Sequence, residues 1–369
     1  MINKARLQRV QERMRRQGID AYMVLSHDDF VYIFGEDRHQ PRAIVPASGL
    51  PIVIAFRGEE AEARQSLGVD DVRVFGTVGQ QIRDVAEVMP ELSAGRERIK
   101  VGVQMWFSTP AFLLNMFQRA NPQVDVVDIA PVMDDLRAVK DEGELTLMQR
   151  ASEIASIGMK AAAGALRPGV TENEVAAEAE YAMRKAGGHG TATPVFVNSG
   201  VRSCWLHGTA TDRRIEEGDL VVLDLVPRYN GYCANLCRTF VVGTPTPEQT
   251  RLFEAYKDAQ RAAMAVLRPG TAMRDVDAAV KASLERAGFG DYVVFGFSHG
   301  IGLNFEEKPV PTIRPGDSSV VVQEGMALTA GHSVLAVPGL GGVRIEDTFH
   351  ITAGGPVPLT DYPVELATA

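Results

Sequence analysis

The sequence has few cysteines, and their arrangement excludes two kinds of small domain. Its three cysteines, Cys204, Cys233 and Cys237, form an odd set without a Cys-x-x-Cys pair. A disulfide framework uses an even number of cysteines and a zinc ribbon uses closely paired ones. We therefore expect neither, and we expect a reducing compartment.

Positive charge is in deficit. The chain has 38 Lys and Arg against 47 Asp and Glu, which gives a formal net charge of −9 at pH 7. Proteins that bind nucleic acids neutralise phosphates with clustered Lys and Arg. The acidic balance therefore argues against a nucleic-acid partner.

Long hydrophobic runs are missing as well. The most apolar stretch, residues 43–56, is interrupted by Pro46 and Pro51, whereas a spanning helix needs about 20 apolar residues. The first residues also lack the basic-then-apolar order of a secretory signal. These absences predict a cytoplasmic protein with no membrane partner.

What the sequence does contain is typical of a globular protein of two domains. Its 369 residues are 45% hydrophobic, and a domain takes roughly 150 residues. Residues 4–135 alternate helical and strand patterns, which is typical of an α/β domain. Leu7, Val10 and Met14 recur at helical spacing before the apolar run 21–25. Strands are predicted at 21–25, 43–45, 52–56, 72–75 and 99–103, and further helices at 59–65, 80–89 and 110–119.

A charged connector, residues 134–144, separates this region from the rest and precedes a long helical pattern. We therefore divide the chain into an N-terminal domain, residues 1–135, and a C-terminal domain, residues 136–369. The C-terminal domain contains a repeat, because Leu166-Arg-Pro-Gly recurs 101 residues later as Leu267-Arg-Pro-Gly. Such a repeat predicts two similar halves related by a pseudo-twofold axis, with helices outside and a cleft inside.

Polar residues interrupt the strand patterns of the C-terminal domain. His207 precedes a strand, Asp224 lies within the apolar run Leu-Val-Val-Leu-Asp-Leu-Val, and His299 opens a Gly-rich turn. Arg344 and Glu346 are two residues apart and so face the same side of a strand. A buried carboxylate is costly unless it is paired or bound to a metal. Each residue alone also fits an ordinary structural role, such as an ion pair.

Together these motifs resemble one family. The run from His207 to Asp224, the Leu-Cys-Arg-Thr-Phe that follows, His299-Gly-Ile-Gly and Gly-Gly-Val-Arg-Ile-Glu-Asp347 are similar to prolidase, aminopeptidase P and creatinase. The resemblance implies a creatinase/prolidase-type N-terminal α/β domain followed by an α+β domain of the pita-bread fold. It also implies a homodimer.

The resemblance further implies a metal site that this sequence only partly retains. In peptidases of the family, two Asp, one His and two Glu hold two divalent ions, a ligand set that suits hard cations. Carried over in chain order, the five positions fall on Asp224, Asn235, His299, Gly331 and Glu346. Asn235 and Gly331 cannot supply the two missing carboxylates. The family histidine that assists the tetrahedral intermediate falls on Glu306.

The main expectation is therefore a cleft without metal or other cofactor. The alternative is one divalent ion (Mn, Co, Fe or Zn) held by Asp224, His299 and Glu346, with His332 shifted inward. By resemblance to creatinase, which works without metal, His207 is the predicted general base and acid. Predicted catalytic residues are His207, Asp224, His299, Glu306 and Glu346, and predicted substrate contacts are Asn235, Cys237, His332 and Arg344, the last free to clamp a carboxylate.

Three functions follow from these expectations. The first is a creatinase-like hydrolase or lyase that acts on a C–N bond of a small amide, amidine or ring metabolite. The second is a metallopeptidase similar to prolidase, an Xaa-Pro dipeptidase, with a single or weakened metal site. The third is a non-catalytic pita-bread domain that binds a partner, which is disfavoured because so many buried charges survive.

Overall fold

The computed structural model describes residues 2–38, 42–77, 87–93, 95–106, 109–292 and 295–367. The chain forms two compact units, residues 1–137 and residues 138–369. Most of the helix predicted at 80–89 lies outside the described residues. Within the described residues, no helix combines the length and the apolarity needed to cross a membrane.

The first unit is built on a six-stranded mixed sheet in the order β4-β3-β2-β1-β5-β6. Its strands are β1 (Ala21–Val24), β2 (Ala43–Pro46), β3 (Ile52–Phe56), β4 (Val72–Phe75), β5 (Ile99–Val103) and β6 (Val124–Asp128). Strand β1 pairs antiparallel with β2 and parallel with β5, and β5 continues parallel to β6. The sequence pattern located the first five strands but not β6, whose two aspartates weaken its apolar pattern.

Helices accompany this sheet. Lys4–Arg16 is amphipathic: Leu7, Val10 and Met14 are buried and the side chain of Asn3 caps the first turn. Capping by Asn satisfies an amide that the helix itself leaves unpaired. Further helices of this unit lie at His27–Phe34, Glu60–Leu67, Ala111–Ala120 and Ala130–Ala138. The last of these runs through residues 135 and 136, so the first part of the predicted connector is helical.

The second unit contains the two halves predicted from the repeat. Each half begins with a pair of antiparallel helices joined through a Pro-Gly turn: Glu142–Ala165 and Glu172–Lys185, then Pro247–Val266 and Met273–Ala287. In the first half the helices pack with Val197, Leu223 and their neighbours in one hydrophobic core. In the second half Leu328, Ile345 and their neighbours form the corresponding core.

Each helix pair covers an antiparallel sheet. In the first half the strand order is β11-β8-β7, with β7 (Phe196–Ser199), β8 (Leu220–Leu225) and β11 (Leu236–Val241). In the second half it is β12-β15-β16, with β12 (Ala327–Ala330), β15 (Asp347–Thr352) and β16 (Gly355–Pro358). Two short hairpins complete the unit: β9 (Arg228–Tyr229) with β10 (Tyr232–Cys233), and β13 (Leu335–Val337) with β14 (Gly341–Val343). Short 3-10 helices lie at Gly200–Cys204, Gly290–Tyr292 and Pro315–Ser319.

The two halves meet at Cys237 and Glu346. The backbone N–H of Cys237 donates to the carbonyl of Glu346 at 3.0 Å, and the N–H of Glu346 donates back at 3.1 Å. The sequence pattern predicts continuous strands over 231–242 and 343–352. The structure breaks the first after Cys233 and the second after Val343. Asn235, Arg344 and Glu346 lie in or beside these breaks, so strand irregularity positions the polar side chains.

Candidate active site

Asp224 lies on β8, the middle strand of its sheet, opposite Phe196 and Cys237. It is buried, and both of its oxygens already contact donors. Asn235 Nδ2 donates to Oδ1 at 2.6 Å, and Arg344 Nη1 donates to Oδ2 at 2.6 Å. Burial raises the pKa of Asp224 because it disfavours the charged form, and the Arg344 charge opposes this effect.

Arg344 also donates through Nη2 to Glu346 Oε2. Its guanidinium is almost completely buried between the two carboxylates. Burial alone would raise the pKa of Glu346, but the Arg344 charge and the His299 contact outweigh it and hold that pKa low. The expectation that Arg344 is free to clamp a substrate carboxylate therefore does not hold, because the protein's own carboxylates occupy its donors.

His299 faces the other oxygen of Glu346. Its Nδ1 lies 2.9 Å from the carbonyl oxygen of Gly300, so Nδ1 carries a hydrogen and donates it. Its Nε2 lies 3.4 Å from Glu346 Oε1. Burial would lower the pKa of His299, but Glu346 outweighs burial and raises it.

His332 and Glu306 lie beside this pair. His332 Nε2 is 3.4 Å from Glu306 Oε1, and the His332 ring meets the His299 ring edge-on with centroids 4.7 Å apart. His332 is buried, whereas the Glu306 side chain keeps 17% of its surface exposed. Burial, together with the charges of His299 and Arg344, lowers the pKa of His332 well below its usual value. Glu306 therefore lies at the solvent-facing rim of this group, and His332 lies in its interior.

Asn235 and Cys237 stand behind the carboxylates. The backbone N–H of Asn235 donates to Thr348 Oγ1 at 2.9 Å. The Cys237 thiol is completely buried and lies 3.8 Å from the carbonyl oxygen of Arg344. Burial raises the pKa of this thiol well above its usual value. Cys237 is therefore a packing residue in this structure and not the substrate contact predicted from the sequence.

His207 lies apart from the buried groups, on an exposed turn that follows the 3-10 helix Gly200–Cys204. Its ring is 6.5 Å from the ring of Phe196, the strand partner of Asp224. The charge of His207 is one of the influences that lower the pKa of His332. Its role as a proton carrier stays a prediction.

Two residues that hold the backbone near His332 were not predicted from the sequence. Tyr256 Oη lies 2.6 Å from the carbonyl oxygen of Gly331 and 2.5 Å from that of Ser333. Gln260 Nε2 donates to the carbonyls of Ala330 and Ile345 at 3.0 and 3.1 Å. Both side chains brace the backbone around His332. The available signal was a pair of polar residues, four apart, on the buried face of the helix Pro247–Val266.

The residues present do not fit a pair of metal ions. Asn235 presents an amide, Arg344 fills the space between Asp224 and Glu346, and Gly331 has φ +123°. A Cβ on Gly331 would lie 1.8 Å from the carbonyl oxygen of Ile345, so this backbone has no room for a glutamate. Three other side chains form a smaller donor group: ligand atoms of His299, Glu306 and His332 all lie within 4.8 Å of one another.

Comparisons with known proteins agree with the fold. Residues 146–353 match metallopeptidase family M24, and residues 6–139 match the creatinase/prolidase N-terminal domain. The Xaa-Pro dipeptidase of Pyrococcus horikoshii is 32% identical over 369 residues, 99% of both chains. The probable dipeptidase PepE of Mycobacterium tuberculosis is 32% identical over 360 residues, 95% of this chain and 92% of its own.

Among solved structures, the prolidase of Pyrococcus horikoshii OT3 superimposes with a TM-score of 0.87 at 29% identity, covering 98% of this chain and 99% of its own. These relatives favour the prolidase-like alternative over the creatinase-like reaction. They also support a divalent metal over the expected cleft without cofactor, since the matched family is one of metallopeptidases. The chain belongs to metallopeptidase family M24, and it is a prolidase-like hydrolase with the pita-bread fold.

Proposed function

We propose that this chain hydrolyses short peptides, with Xaa-Pro dipeptides as the substrate class to test first, and that it uses one divalent ion where the family uses two. The full-length similarity to a protein named Xaa-Pro dipeptidase supports the substrate class. The observation that carries the reduced metal content is the Arg344 guanidinium between Asp224 and Glu346. This fixed positive charge lies between two of the positions that bind metal in peptidases of the family.

The chain's own residues would divide the work as follows. Arg344 pairs with both Asp224 and Glu346 and holds the two carboxylates in place. Glu306 is the acidic group at the rim, and His332 orients it from behind at 3.4 Å. His207, on its exposed turn, would take a proton from attacking water and deliver it to the leaving amine. A bound divalent ion would supply Lewis acidity.

The surrounding structure limits where substrate can enter. His299, His332 and Glu346 are all nearly inaccessible to solvent, whereas Glu306 is not. A substrate would therefore meet Glu306 first and would reach the buried group past that side chain. A homodimer and a cytoplasmic location are further proposals that accompany this function.

A peptidase assay on the purified full chain tests the proposal. Gly-Pro and Ala-Pro would be incubated with chelator-treated protein, with and without added Mn²⁺ or Co²⁺, and Pro-Gly would serve as the reversed control. We expect metal-dependent release of proline and no cleavage of Pro-Gly. Creatine and simple amides or amidines would be assayed in parallel. Turnover of these compounds in chelator, without dipeptide hydrolysis, would contradict the proposal and favour the creatinase-like reaction.

A further inference from the structure

The site exchanges two side-chain types between two segments. Glu306 stands where the resemblance places a histidine, and Gly331-His332 stands where it places a glutamate. The structure brings the exchanged residues together, with His332 Nε2 3.4 Å from Glu306 Oε1. The site thus keeps one imidazole and one carboxylate. The carboxylate comes from the segment where the resemblance places the histidine, and the imidazole from the segment where it places the glutamate.

Two buried acceptor atoms face each other beside this pair. Because the Nδ1 hydrogen of His299 points to Gly300, the Nε2 atom presents a lone pair whenever the ring is neutral. This atom and Glu346 Oε1, 3.4 Å away, each lack a hydrogen-bond partner among the residues described. Facing acceptors in a buried place are unfavourable unless a proton or a cation lies between them.

The spacing of these atoms suits a metal ion. Donors that are each about 2.1 Å from a tetrahedral ion lie about 3.4 Å from one another. The His299–Glu346 and His332–Glu306 contacts both have this separation. The ligand atoms of His299, Glu306 and His332 are within 4.8 Å of one another, so small side-chain rotations would bring them around a single ion.

The charge balance limits the number of ions to one. Asp224, Glu306 and Glu346 carry three negative charges, and Arg344 returns one positive charge. One divalent ion would neutralise the remainder, whereas two would leave two uncompensated positive charges in a buried place, which is costly. Asp224 is also withheld from the ion, because its oxygens contact Asn235 and Arg344.

We propose that His299, Glu306 and His332, together with Oε1 of Glu346, form a mononuclear metal site displaced from Asp224. Two imidazoles and two carboxylates are a ligand set for Zn²⁺, Mn²⁺, Fe²⁺ or Co²⁺. The inference deepens the proposed function and rests on it for the ion's purpose. It differs from the single-ion site predicted from the sequence, because it adds Glu306 as a ligand and leaves out Asp224.

Metal binding is measured without substrate, so that a failure to bind metal and a failure to hydrolyse dipeptides are separate results. Chelator-treated full-length protein would be dialysed against Zn²⁺ or Mn²⁺, and the bound metal would be counted by mass spectrometry. We expect one ion per chain. The Glu306→Gln and His332→Ala variants should bind at least about 10-fold more weakly. Glu324→Gln and His350→Ala change the same residue types away from the group and should bind like the parent.

X-ray absorption of the Co²⁺-loaded parent protein tests the ligands without any variant that could misfold. The proposed set contributes two imidazoles to the ion, whereas the family's set contributes one. Two imidazoles and one ion per chain would support the proposal. Two ions per chain, one imidazole, no bound ion, or unchanged affinity in folded Glu306→Gln and His332→Ala would each overturn it. In the case of no bound ion, a proton shared by His299 and Glu346 takes the ion's place.

Discussion

Nη1 of Arg344 lies 2.6 Å from Oδ2 of Asp224, which is 120 positions earlier in the chain. The same guanidinium contacts Glu346 through Nη2. One cation therefore joins the two halves of the repeat through a carboxylate from each. Removing one partner of a buried ion pair leaves a charge that neither water nor protein compensates.

Arg344→Met should consequently destabilise the protein by about 3–5 kcal/mol. Urea unfolding followed by fluorescence would measure the loss. The matched variant combines Arg344→Met with Asp224→Asn. The second substitution removes one of the two carboxylate charges that Arg344→Met leaves unpaired. The double variant should lose less than the sum of the two single variants, because the residues are in contact. Strict additivity would show that the pair contributes nothing through its coupling.

Gly331→Ala tests why the family's glutamate is absent. The new Cβ would lie 1.8 Å from the Ile345 carbonyl oxygen, and the backbone has φ +123°. Gly339 is the control, since it has φ +80° but nothing within 4 Å of a Cβ. We expect Gly339→Ala to cost about 1 kcal/mol from backbone strain alone. Gly331→Ala should cost clearly more in the same urea titration, and equal losses would remove the steric explanation.

Glu172→Gln should loosen the turn that carries His207. The buried Glu172 carboxylate accepts hydrogen bonds from Ser199 Oγ at 2.7 Å, Thr211 Oγ1 at 2.7 Å and Arg202 Nε at 3.1 Å. An amide keeps one acceptor oxygen and loses the charge, so these bonds weaken by about 1–3 kcal/mol in total. Hydrogen exchange of residues 200–211 should speed up. Unchanged exchange there would show that other contacts hold the turn.

His207→Ala tests the exposed histidine as a proton carrier. If it moves a proton during turnover, the rate should fall by about 10²–10⁴-fold. The thermal unfolding midpoint should stay the same, because the side chain is exposed on a turn. A rate close to that of the parent protein would assign the proton transfer to another group.

His27 should give the first unit a pH-dependent stability. Its ring lies 3.2 Å from Asp28 and 2.6 Å from Asp37, and these bonds raise the His27 pKa to about 9. A raised folded-state pKa stabilises the protein below the unfolded pKa of about 6.5. That contribution is lost as the pH rises through about 9. The unfolding midpoint of His27→Gln should therefore be lower than that of the parent at pH 6 and equal to it at pH 10.

Asp37→Asn provides the matched variant for this pH series, because it removes the partner at 2.6 Å and keeps the histidine. Its midpoint should show a smaller dependence on pH than that of the parent. A difference between His27→Gln and the parent that is the same at every pH would show that packing, not ionisation, explains the effect.

The sequence predicts the fold well where its pattern is regular. The periodicity of Leu7, Val10 and Met14 matches a helix whose buried face contains all three residues. The recurrence of Leu-Arg-Pro-Gly 101 residues later corresponds to two helix pairs of the same design. Apolar spacing and turn residues act locally, so a single sequence reveals them.

The site was less accessible to sequence reasoning because its contacts are distant along the chain. The donors of Arg344 are already paired because Asp224, 120 residues away in the chain, lies beside them. The buried position of Cys237 depends on strands from the other half of the repeat. The proximity of Glu306 and His332 depends on backbone that Tyr256 and Gln260 brace from a helix. None of these relations leaves a periodic signature in the residues themselves.

The backbone hydrogen bonds between Cys237 and Glu346 have a consequence for cutting the chain of the second unit into two fragments. A cut in the turn at 243–246 would leave Asp224 and Asn235 on one fragment and His299, His332 and Glu346 on the other. Neither fragment would hold a complete set of polar groups. If the site formed again after such a cut, the two fragments must therefore have associated with each other.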